Sequence, residues 1–69
     1  MIARSITNRE REILQLVAQE HSTREIADKL FISDHTVVSH RKNLMDKLQV
    51  KNVAGMVRAG FERGILSLH

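Results

Sequence analysis

His35, Ser39 and Lys42 follow one another at intervals of four and three residues, the spacing that stacks side chains on one face of a helix. Val38 stands among them. The set offers an imidazole, a hydroxyl, an ammonium and one apolar branch. These are groups that donate to, accept from or pack against a partner, and none activates another. His40 invites a metal or catalytic reading, but the chain has no cysteine and no second histidine at the i+4 position. A hydrogen-bonded structural histidine at the edge of a buried face is the expectation there. Glu10, Glu12 and Asp46 form no paired-carboxylate arrangement. No catalytic residue, no metal ligand and no cofactor is expected.

The elements that position these residues are marked by caps. Thr7-Asn8-Arg9-Glu10 and Ser22-Thr23-Arg24-Glu25 both read as capping boxes, each a hydroxyl residue followed three places later by a glutamate. Behind the first, Ile13, Leu14, Leu16 and Val17 make an apolar stripe, which predicts a helix from Asn8 to about Gln19. Behind the second, Ile26, Ala27 and Leu30 give a short buried face ending near Leu30. Ser33 is a third cap, so only Phe31 and Ile32 remain between two helices, a connection tight enough for a helix-turn-helix. The third helix is predicted from Asp34 to about Leu48. Its Val37, Arg41, Leu44 and Leu48 share a narrow inward sector. Val37 and Val38 point about 100° apart, so Val38 joins His35, Ser39, Lys42 and Asp46 on the other side. Asn52 caps a fourth helix, Val53 to Arg63. Gly64 suits the left-handed position beyond its end, with Ile65 packing back, and the tail Ser67-Leu68-His69 is expected to be loosely held.

The bulk properties narrow the function. A chain of 69 residues is read as one domain, residues 1–69, with a thin core, and association with a second copy is the expected source of extra stability. The formal net charge is +3, which favours a polyanionic partner. Phe31 and Phe61 are the only aromatics, so single-strand binding by base stacking has little to work with. The apolar runs are too short for a membrane span, and MIARSITNRE lacks the apolar core of a signal peptide. The lack of cysteine fits a reducing cytosol.

The segments ITNREREILQLVAQ, STREIADKLFIS, HTVVSHRKNLMDKLQV and KNVAGMVRAGFERGIL, in that order, resemble the LuxR/GerE-type helix-turn-helix domain, which is also the output domain of NarL/FixJ-type response regulators. The resemblance runs from Ile6 to about Leu66. It implies an all-α, four-helix domain containing a helix-turn-helix, winged-helix-like without a wing. It also implies sequence-specific double-stranded DNA binding in bacterial transcription regulation, in the cytoplasm and without a membrane partner. The third helix would enter the major groove. By resemblance His35, Val38, Ser39 and Lys42 contact bases, and Thr23, Arg24, Thr36 and Lys47 contact phosphates. Lys42 can donate to guanine O6 and N7, and Val38 can pack on a thymine methyl. The fourth helix would pair two copies through Val53, Met56 and Gly60, with Ala54, Val57 and Phe61 on the domain's own core, giving a dimer on inverted-repeat sites. RNA polymerase is a candidate partner.

The chain departs from the family pattern at three places. Glu20 stands where a glycine is usual and either alters the turn or carries left-handed strain. Val38 and Val53 replace residues that are often basic. Two other readings stay open on sequence. One is a promoter-binding module like region four of sigma factors. The other is a helical protein-interaction module, in which the polar face of the third helix is simply solvated.

Overall fold

The computed structural model describes residues 5–67. It contains α1 (Asn8–Ala18), α2 (Thr23–Leu30), α3 (Asp34–Leu48) and α4 (Val53–Glu62), with no strand among the described residues. Each helix starts where the sequence supplies an acceptor. Thr7 Oγ1 accepts from the Glu10 amide at 3.1 Å, while Glu10 Oε1 accepts from the Thr7 amide at 2.9 Å. Ser22 and Glu25 repeat this reciprocal pair at 3.1 and 2.8 Å. Ser33 Oγ accepts from the Thr36 amide at 3.0 Å, and Asn52 Oδ1 from the Gly55 amide at 2.9 Å.

The helix ends share one device. The amides of His21, Ile32, Val50 and Ile65 reach back to the carbonyls of Leu16, Ala27, Met45 and Gly60, at 3.1, 3.0, 3.1 and 2.8 Å. This six-residue closure needs a left-handed residue just before the donor. Gly64 fills that position with φ 74°, as the sequence suggests, but Glu20 (φ 68°), Phe31 (φ 57°) and Gln49 (φ 57°) fill the other three. The turn after α1 therefore keeps the left-handed geometry and carries the strain, about 1–2 kcal/mol for a residue with a Cβ. α1 and α4 each stop one residue short of their expected ends, with Gln19 and Arg63 as cap residues.

The core has two parts. Ile13, Ile26, Ala27 and Val37 tie α1, α2 and α3 together, with Leu16, Leu30 and Ile32 packed around them. Leu14, Leu44, Leu48, Met56, Ala59 and Leu66 tie α1, α3, α4 and the segment after it. Ile65 packs against this second cluster, and Leu66 belongs to it. Of the tail, Leu68 and His69 lie outside the described residues.

The rotation of α4 corrects the sequence reading. Met56 is fully buried, Ala59 is 7% exposed and Gly60 is buried, whereas Phe61 is 39% exposed and Ala54 is exposed. Met56 and Gly60 therefore belong to this chain's core and are not available to a second copy. The physical reason is close packing at Gly60. A Cβ there would lie 2.8 Å from Leu66 Cδ1 and 2.9 Å from Leu14 Cδ2. Glycine admits those two leucines of its own chain, not a neighbouring helix. Val57 is half-buried at the margin between the two faces.

Candidate nucleic-acid interface

α3 is docked from inside by Val37, Leu44 and Leu48, the first two fully buried and the third 3% exposed. That fixes its outward side. His35, Ser39 and Lys42 are exposed, and Val38 is 37% exposed, so all four side chains expected to read bases stand on the open surface. His40 and Arg41 are half-buried at the two margins of the docked face.

Two residues of this helix were not among the sequence candidates. Asn43 is exposed one turn beyond Ser39, and an amide there can both donate and accept. Its i+4 spacing from Ser39 was the available signal. Asp34 is exposed in the first turn of α3, and its Oδ2 lies 3.7 Å from Arg24 Nε. That pair spans the starts of α2 and α3. No spacing rule relates positions 24 and 34 across a turn.

At the start of α2, the capping box commits the amides of Ser22 and Glu25, while those of Thr23 and Arg24 have no intrahelical acceptor to reach. Arg24 projects to solvent and Thr23 is half-buried. Free amides at the positive end of a helix, with a guanidinium alongside, suit a phosphate. Thr36 sits nearby in sequence to the turn, its hydroxyl 2.8 Å from Ser33 Oγ. The backbone bond to Ser22, followed by the Ser22 hydroxyl, holds the Glu25 carboxyl below its ordinary range.

Lys47 is placed differently from the expectation of a phosphate contact. Its Nζ donates to Glu10 Oε1 at 2.8 Å and to the Ser5 carbonyl at 3.0 Å, with the side chain only 17% exposed. The ammonium is drawn inward because Glu10, 3% exposed, requires a counter-charge. Burial pushes the Glu10 carboxyl up. The hydrogen bonds from Lys47 and Thr7 and the charge of Lys47 outweigh burial and hold it below the ordinary glutamate range.

Among the described residues, no three histidine, cysteine or acidic side chains gather where a metal could bind. No helix among them is long and apolar enough to cross a membrane.

Two helices joined by the three residues Phe31, Ile32 and Ser33, the second presenting a polar face and the first an open N-terminus, define a helix-turn-helix domain of the DNA-binding kind. Residues 4–59 match the family described as bacterial regulatory proteins, luxR family, and the chain belongs to that family. It is 44% identical over 63 residues to the spore germination protein GerE of Bacillus subtilis, covering 91% of this chain and 85% of that one. It is also 44% identical over 62 residues to the transcriptional regulatory protein MctR of Rhizobium johnstonii, covering 90% of this chain but only 29% of MctR. The solved structure of the transcription factor GerE superposes with a TM-score of 0.88 at 40% identity, covering 96% of this chain and 100% of that one. The response regulator ChrA, from a heme-sensing two-component system, gives 0.90 at 35% identity over 96% of this chain and 33% of its own. The chain is a DNA-binding domain of transcription regulators, and its relatives are regulators, not enzymes.

Proposed function

We propose that the chain recognises a specific duplex sequence with α3 in the major groove and binds as a two-fold dimer to an inverted repeat. The observation that carries this reading is the outward set His35, Val38, Ser39 and Lys42 on a helix whose rotation Val37, Leu44 and Leu48 lock. Lys42 donates to guanine O6 and N7, Ser39 and His35 donate or accept at neighbouring base edges, and Val38 packs on a thymine methyl. Thr23, Arg24 and Thr36 hold phosphates and set register without reading sequence.

The dimer contact is carried by the face of α4 turned away from its own core. Val53 is 42% exposed and Phe61 39%, with Ala54 exposed between them and Val57 half-buried. A two-fold axis across this face would bring each Phe61 against the partner's apolar strip.

Selection of duplexes from a random pool tests the whole reading. The expected result is two inverted half-sites and an affinity that falls steeply with salt. Lys42→Ala should abolish preference at one base position at a cost of about 1–3 kcal/mol. A flat salt dependence would overturn DNA binding. Direct half-sites, or a single half-site, would overturn the two-fold arrangement.

A further inference from the structure

Arg24 and Asp34 come from different helices, and their side chains are 74% and 54% exposed, with 3.7 Å between Nε and Oδ2. This is a loose, wet pair, and such pairs contribute little to stability. Its position gives it another meaning. Asp34 is the first residue of α3, where the positive helix end favours a carboxylate. Arg24 is the second residue of α2, on the side proposed to meet phosphate. An arriving duplex therefore competes with Asp34 for one guanidinium.

We propose that Asp34 is a specificity-determining residue that withholds Arg24 from unsuitable DNA. The inference rests on the DNA-binding reading above. When Arg24 turns to a phosphate, the Asp34 carboxylate is left beside a polyanion without its counter-charge. On an arbitrary sequence that repulsion persists and weakens binding. On a sequence with cytosine beneath the start of α3, the cytosine N4 amino group donates to the carboxylate and replaces Arg24 as its partner. The same side chain thus penalises random duplex and rewards one base. Rejection of wrong partners by a group left unpaired is a general source of specificity.

Asp34→Asn in the full chain tests this. Binding to random duplex should rise about two- to fivefold, the range of an exposed ion pair. The salt dependence should steepen by about one phosphate contact, and selected sites should lose a cytosine preference at one position. Asp34→Ser should behave alike, since serine also suits the first turn of a helix, and thermal melting verifies that both variants fold. In an Arg24→Gln background the gain on random duplex should shrink, leaving only the repulsion between Asp34 and the duplex. An equal gain in that background would leave only general charge repulsion and overturn the competition. Unchanged or weaker binding of Asp34→Asn to random duplex would overturn the proposal outright. If the wild-type chain binds duplex with steep salt dependence while Asp34→Asn changes nothing, this inference alone falls. If the wild-type chain binds no duplex, the DNA reading falls with it.

Discussion

The two parts of the core hold different things. Ile13 and Leu14 are neighbours in α1, yet Ile13 faces α2 and the start of α3, and Leu14 faces α4 and the end of α3. The smaller cluster has four buried members, one of them an alanine, and it alone fixes how α2 sits on α3. The larger has six and binds α4 and Leu66 to the rest. α1 and α3 thus form a shared spine, with α2, the helix proposed to meet phosphate, on one side under a light load and the proposed dimer helix on the other under a heavy one. The α2 side is therefore the more easily loosened half.

The largest effects break this division. Leu44→Ala should cost about 2–5 kcal/mol and lower the melting temperature of the whole domain, because Leu44 sits in the cluster shared by α1, α3 and α4. Ile26→Ala falls in the same range. Hydrogen exchange should show α2 amides losing protection first there, while α1, α3 and α4 keep theirs. Uniform loss in both variants would mean that the two clusters act as one.

A second test targets the rotation of α4. Gly60→Ala should destabilise by about 1–3 kcal/mol through overpacking against Leu14 and Leu66, as read by denaturant unfolding. A neutral result would restore Gly60 to an outward face.

Lys47 ties the two helices of the spine together, and Lys47→Ala should cost about 1–3 kcal/mol by leaving the Glu10 carboxylate without its counter-charge. Because the folded Glu10 carboxyl lies below its ordinary range, its contribution is complete above the unfolded value and is lost as pH falls through the folded one. Stability should therefore drop below about pH 4–5, and Glu10→Gln should flatten part of that drop in pH-dependent melting. A phosphate role for Lys47 would instead appear as a shallower salt dependence of DNA binding at unchanged stability.

The smallest expected change is a gain. Glu20→Gly should stabilise by about 0.5–1 kcal/mol, removing left-handed strain at the cost of extra unfolded-state freedom. No gain would indicate that the glutamate side chain offsets its own strain.

The helices were legible because each start is written locally. Thr7, Ser22, Ser33 and Asn52 announce their helices by side-chain acceptors that satisfy amides three residues on. The inward side of α3 was legible from Val37, Leu44 and Leu48. The rotation of α4 was not, because residues 53, 56 and 60 and residues 54, 57 and 61 have the same helical spacing. Periodicity ranks both stripes alike, and only the close approach of Leu14 and Leu66 selects between them. Lys47 was misplaced for a related reason. Its acceptor, Glu10, is 37 positions away, and a buried carboxylate outcompetes solvent for an ammonium in a way no local pattern records. Phe31, 93% exposed in a left-handed turn, had equally little to announce it.

The Lys47 bond to the Ser5 carbonyl makes a staple between distant parts of the chain. The chain that leads into α1 is fastened 42 positions away, to the last turn of α3. The same ammonium also holds Glu10, so the segment before α1, the first turn of α1 and the last turn of α3 meet at one nitrogen.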